Sequence, residues 1–173
     1  MGEPAQIIDA FDRAHPVATN GARWELIADR VMGGLSSGAM SRETIAGREA
    51  LRMRGDVSLE NNGGFIQVAL DLAPDGAPLD ASAWTGIELD IRGEGERYNL
   101  HLRTADVVRP WQSYRSAFVA SAQWRAIRLP FDAFEPHRID APFDPTRLRR
   151  LGVVAIGRSF SADIAIGGVR YFR

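Results

Sequence analysis

The sequence predicts an all-β fold, a jelly-roll β-sandwich of two antiparallel sheets. Three observations predict it. Apolar residues recur with period two along most of the chain, as in strands with one buried face. Glycine and proline clusters punctuate those runs. No segment carries a long helical stripe. At 173 residues the expectation is one domain over 1–173, long enough to bury roughly 70% of its unfolded surface.

Taken in order, Ile7–Arg13 is the one short helix suggested near the start. From Leu51 to Glu60, Leu51, Met53, Val57 and Leu59 fall on one side, and Arg52, Arg54, Asp56, Ser58 and Glu60 on the other. Ile66, Val68, Leu70 and Leu72 then alternate with Phe65, Gln67, Ala69 and Asp71. The same alternation places strands at Ile87–Arg92 and Tyr98–Arg103. Further strands are expected at Gln112–Val119, Trp124–Leu129, Arg149–Ile156 and Ala162–Phe172. Val153–Ile156 is apolar on both faces and belongs at the centre of a sheet. Asn62-Gly63-Gly64 and Gly93-Glu94-Gly95 look like hairpin turns, and Pro74–Pro78 and Pro136–Pro145 like surface loops. A further turn is expected near Pro145–Arg149. Aligned sheets would interdigitate the apolar faces.

Composition narrows function. There is no cysteine, which removes disulfides, thiolate zinc sites and cysteine nucleophiles. All basic residues except histidine are arginine, and net charge is −1 with charges scattered along the chain. A nucleic-acid footprint needs basic residues gathered on one face, so no nucleic-acid partner is expected. The first residues lack a basic region followed by an apolar run, and no apolar stretch reaches about 18 residues. These features predict a soluble cytoplasmic protein without a membrane span.

Gly34-Leu35-Ser36-Ser37-Gly38 matches the G-x-S-x-G pattern of a hydrolase nucleophile elbow. An elbow needs a strand, a strained turn and then a helix. Residues 39–46 instead lead toward the Leu51 strand without a capped amphipathic helix. His15, His101 and His137 have no metal-ligand spacing, and Gly93-Glu94-Gly95 has no helix after it to make a dinucleotide loop. No enzyme and no cofactor are expected. No acidic cluster demands calcium, although jelly rolls accommodate it. The aromatics stand out more. Phe65 falls off the apolar alternation, Trp111 and Tyr114 follow Arg109-Pro110, and His101 lies on the polar side of its strand. Exposed aromatics beside arginine anchor interfaces, while the plainer alternative is that they fill the fold.

Two blocks, Trp24…Asp29-Arg30-Val31-Met32-Gly33-Gly34-Leu35-Ser36-Ser37-Gly38 and Leu59-Glu60-Asn61-Asn62-Gly63-Gly64-Phe65, carry a resemblance. Gly86-Ile87, Arg92–Gly95, Tyr98, Leu102-Arg103, Tyr114, Phe118, Trp124, Leu129–Phe131, Phe134 and Ile156-Gly157 continue it. With these the chain resembles, over about residues 8–172, the family of complex I intermediate-associated protein 30, whose domain is galactose-binding-like. The loop after Phe134 departs from the pattern. The resemblance implies a jelly-roll sandwich. It also implies kinship with non-catalytic chaperones of respiratory complex I assembly, and with domains fused to a dinucleotide-binding reductase fold. The expected function is therefore a binding domain that holds a protein partner, with respiratory-complex subunits as candidates. The alternative is a carbohydrate or small-ligand module. The expected shared surface comprises Trp24, Asp29, Arg30, Met32, Asn61, Asn62, Phe65, Arg103 and Tyr114. Trp24, Met32 and Phe65 would be apolar anchors, Arg103 a charge-assisted fork, and Asn61 and Asn62 hydrogen-bonding groups. Asp29 either joins that surface or caps backbone N–H groups of the glycine turn.

Overall fold

The computed structural model describes residues 4–173, apart from the side chains of Val31, Met32 and Asn62. Among these residues the strands are β1 (Ile7–Asp9), β2 (Glu25–Ala28), β3 (Ser37–Ile45), β4 (Arg48–Val57), β5 (Phe65–Asp71) and β6 (Gly86–Arg92). The second half of the chain supplies β7 (Arg97–Thr104), β8 (Ser113–Val119), β9 (Arg125–Pro130), β10 (Glu135–His137), β11 (Leu148–Ile156) and β12 (Phe160–Phe172). They form two antiparallel sheets. One runs β3-β4-β12-β6-β9, with β1 also on β12; the other runs β10-β8-β7-β11-β5-β2. This is the predicted jelly-roll sandwich. The alternating residues meet between the sheets: Leu51, Met53, Ile87, Leu89, Ile164 and Ile166 from the first face Ile66, Val68, Leu100, Leu102, Leu151 and Val153 from the second, all buried. β11 lies between β7 and β5, the central place its two-faced apolarity predicts.

Four expectations change. Ile7–Asp9 is a strand rather than a helix, because β12 is long enough to pair β4 along its first half and β1 near its end. Of residues 39–46, for which no strand was expected, 39–45 belong to β3. Asn62-Gly63-Gly64 and Gly93-Glu94-Gly95 do not close hairpins; each carries the chain from the first sheet to the second. A two-residue hairpin instead joins β3 to β4 at Ala46-Gly47, where both residues have positive φ (46° and 83°), the geometry that matches strand twist. Finally, Pro136 lies in β10, an edge strand, where a missing N–H is tolerated. Pro145–Arg147 forms the expected turn, a short 3₁₀ helix capped by Asp144.

Candidate functional site

Asp29 explains the two glycine blocks. It follows β2 and opens a 3₁₀ turn, and its carboxylate is fully buried. Its Oδ1 accepts from the Ser36 backbone N–H (3.0 Å), and its Oδ2 accepts from Ser36 Oγ and from the N–H groups of Gly64 and Phe65. Burial pushes this carboxyl up, but the Ser36 hydroxyl and the three backbone N–H groups outweigh it and hold it below its ordinary range. The chain closes so tightly here that a Cβ on Gly34 would sit 2.4 Å from Asp29 Cγ, and one on Gly63 would sit 2.5 Å from Oδ2. Glycine is needed for close approach to a carboxylate. Of the two roles open to Asp29, capping is the one the structure shows.

Ser36 is equally committed. It is buried, its Oγ donates to Asp29 and accepts from Ser58 N–H, and the chain continues into β3 rather than a helix. The G-x-S-x-G match is therefore a sandwich turn with no reachable hydroxyl.

Two predicted surface residues are corrected. Trp24 is only 3% exposed; it stacks on Phe11 and donates from Nε1 to Asp9 Oδ2 at 2.7 Å. Asp9, itself buried, also accepts from the N–H of Phe11 and Thr19. Tyr114 is fully buried, packs edge-on against Phe143 and donates from its hydroxyl to the Ala141 carbonyl. Both are large amphipathic rings whose one polar atom finds an internal acceptor, the condition under which they enter a core. Arg30 and Asn61 are exposed, with Arg30 Nε donating to the Ser36 carbonyl and Asn61 in the left-handed region. The side chains of Met32 and Asn62 lie outside the described residues.

Phe65 and Arg103 line a different surface, toward opposite ends of one cleft. On the second sheet the residues between core positions face outward and floor a cleft of about 740 Å³. Register fixes its layout. Phe65 lies opposite Ile156, Gln67 opposite Val154, Ala69 opposite Gly152, and Asp71 opposite Arg150. Across β7, Arg150 faces Arg103 and Gly152 faces His101; across β8, His101 faces Arg115. Small residues at Ala69 and Gly152 keep the middle of the floor low. The loop from Thr104 to Ser113 forms a wall, presenting Trp111 (52% exposed). Gln112 fixes this wall: its Oε1 accepts from the N–H groups of Val108 and Arg109, and its Nε2 donates to the Arg138 carbonyl.

The cleft is electropositive. Arg150 is held by Asp71 (2.7 Å) and Glu25 (3.0 Å). Among the described residues no carboxylate pairs with Arg103, Arg115, Arg138 or Arg149, which also line it. Burial, with Arg115, His137 and Arg103 nearby, pushes the His101 imidazole down to about 3, so it is neutral at physiological pH. Burial and neighbouring arginines likewise lower Arg103 and Arg115. Charges scattered in sequence are thus gathered in space, which removes the premise on which a nucleic-acid partner was set aside. Sequence reasoning named Arg103 and Phe65 but missed Arg115, Arg138, Arg149, Arg150 and Gly152. The Arg149-Arg150 doublet ahead of an apolar run was the available signal. Among the described residues no cluster of three or more histidine or acidic side chains is placed to hold a metal, and no helix is long and apolar enough to cross a membrane.

Two packed antiparallel sheets with a cleft across one outer face define a galactose-binding-like β-sandwich domain. The chain belongs to the family described as complex I intermediate-associated protein 30 (CIA30), whose model matches residues 11–165. No curated protein sequence matches it. Among solved structures it is similar to a family 11 carbohydrate-binding module from Clostridium thermocellum, in complex with a β-1,3-1,4-mixed-linked tetrasaccharide. That match has TM-score 0.73 and 13% identity, covering 99% of this chain and 97% of that one. It is also similar to the family 30 carbohydrate-binding module of a cellulosomal cellulase of the same organism, with TM-score 0.64 and 13% identity over 98% of this chain and 94% of that one. At such identity the likeness is one of fold.

Proposed function

We propose that this chain is a non-catalytic binding domain that holds a protein partner in the cleft on the second sheet, in the manner of an assembly factor for a respiratory complex. The carrying observation is that cleft: preformed, open and walled by a loop that Gln112 orders. Membership of the CIA30 family supports a partner taken from complex I assembly. The reachable hydroxyl a serine hydrolase would need is not presented at Ser36, which is buried and hydrogen-bonded. A photo-crosslinking residue at Trp111, used in the native cell, is expected to yield a discrete protein adduct, identified by mass spectrometry as a respiratory-complex subunit. The same residue placed at Arg54, on the exposed side of the first sheet, is expected to yield none. Equal adducts from both positions, or none from Trp111, would contradict the proposal.

Carbohydrate is the second candidate ligand, favoured by Trp111, an aromatic side chain half exposed in the cleft wall. A glycan array that gives a signal lost on Trp111→Ala would support it, and a blank array counts against it.

A further inference from the structure

The two ends of the cleft differ in kind. At one end Phe65, Ile156 and Ile27 present partly exposed apolar side chains. At the other stand Arg103, Arg149 and Arg150. The distance between the ends follows from β5: Phe65 to Asp71 is six steps along the strand, or about 20 Å at about 3.3 Å each.

A β-bulge sharpens the cationic end. The register between β11 and β7 shifts between Leu148 and Arg150. Two consecutive residues, Arg149 and Arg150, therefore line the cleft, while Leu148 and Leu151 on either side are buried in the core. Bulges re-aim side chains in this way. Arg150 is neutralised by Glu25 and Asp71. Among the described residues the rest of the cluster has no carboxylate partner: Arg103 makes long contacts to the Pro110 and Gln112 carbonyls (3.4 and 3.5 Å), and Arg115 donates from Nε to Ser113 Oγ. In a protein of net charge −1, such a concentration of uncompensated guanidinium groups is electrostatically unfavourable until an anion arrives. Guanidinium forks bind carboxylates bidentately.

We infer that the cleft binds an extended segment of a partner protein in which aliphatic residues and a run of glutamate or aspartate lie about six positions apart. This rests on the proposed function, and adds to it the chemistry of the segment that is held. The apolar end favours a protein segment. Single-stranded nucleic acid could stack on Phe65 and Trp111, but Ile27 and Ile156 add aliphatic surface that bases do not use and aliphatic side chains do.

The test uses a fluorescent peptide, Val-Leu-Val-Gly-Ser-Gly-Glu-Glu-Glu-Glu, its reverse, and the same pair with glutamine for glutamate. Binding to the full chain is followed by anisotropy. At least one glutamate peptide is expected to bind, at least about tenfold more tightly than its glutamine counterpart, and to weaken severalfold as salt rises from about 50 to about 300 mM. The Arg103→Gln/Arg149→Gln double variant is expected to lose about tenfold in affinity, whereas Arg54→Gln stays within about twofold. Thermal unfolding of each variant verifies the fold, and Arg115→Gln serves as a second probe if the double variant does not fold. Equal binding of glutamate and glutamine peptides would overturn the anionic assignment and leave the protein-binding cleft standing. Tighter binding of a single-stranded oligonucleotide or an oligogalacturonate would overturn the peptide assignment. Failure of every peptide overturns this inference alone if the Trp111 crosslink persists, and the function as well if the crosslink is also absent.

Discussion

Asp29 holds together the parts of the chain that are most distinctive in sequence. One buried carboxylate takes the Ser36 hydroxyl and N–H groups from both glycine blocks. Asp29→Asn is expected to cost about 2–4 kcal/mol, because an amide leaves charge-assisted bonds unmade and a donor misplaced. Its pH dependence has a definite sign. The folded carboxyl titrates below its ordinary value, so its stabilisation is complete above about pH 4 and is lost as pH falls through the folded value. Denaturant unfolding should therefore show the gap between wild type and Asp29→Asn narrowing below that pH. Trp24→Phe is expected to cost about 1–3 kcal/mol through Asp9, which loses its indole donor. The same variant should leave peptide affinity unchanged within error. The sequence marks Trp24, Asp29 and Tyr114 as unusual but not which way they face. Burial of a polar-tipped ring depends on an acceptor such as Asp9 or the Ala141 carbonyl, which only the folded chain brings near.

Strands were legible wherever one face meets the core and the other meets solvent, as in β4 and β5. Those that escaped are short or edge elements, β1, β2, β3 and β10, stabilised by pairing with a neighbour rather than by their own alternation. Glycine signals told of turns but not of their partners, since a crossover between sheets uses the same positive φ as a hairpin. At the true hairpin, Ala46 adopts φ 46°, a conformation asparagine tolerates better than alanine. Ala46→Asn is expected to raise stability by about 0.5–1 kcal/mol, read as a higher unfolding midpoint. Gly152 has a different use. A Cβ there would clash with the Gln67 Oε1 tip at 2.4 Å and otherwise make ordinary contact with Val154 Cγ2 at 3.7 Å, and the Gln67 side chain can swing aside. Gly152→Val should change stability by no more than about 1 kcal/mol, since a β-branched residue suits a strand, while raising the cleft floor and weakening peptide binding severalfold. A fold-linked glycine would behave oppositely, unfolding the protein.

Charge is the property that sequence order concealed most fully. Arg103, Arg115, Arg138 and Arg149 come from β7, β8, the residues after β10, and β11, and the antiparallel ladders, the bulge at Arg149 and the turn after β10 bring them to one cleft. The sandwich thus has two dissimilar outer faces. On the first sheet Arg52 and Arg170 are bound to Asp163, Glu43, Glu88 and Asp90; on the second, among the described residues, Arg103, Arg115, Arg138 and Arg149 have no carboxylate partner. Arginine Nε–H groups give NMR signals of their own, so guanidinium groups on both faces can be followed in one titration. Titration with the glutamate peptide is the direct measurement of whether the second sheet is the binding face. The account predicts that the signals of Arg103, Arg115 and Arg149 move together and saturate, while those of Arg52 and Arg170 stay fixed. Saturable shifts confined to the first-sheet arginines, with the cleft signals unmoved, would contradict it.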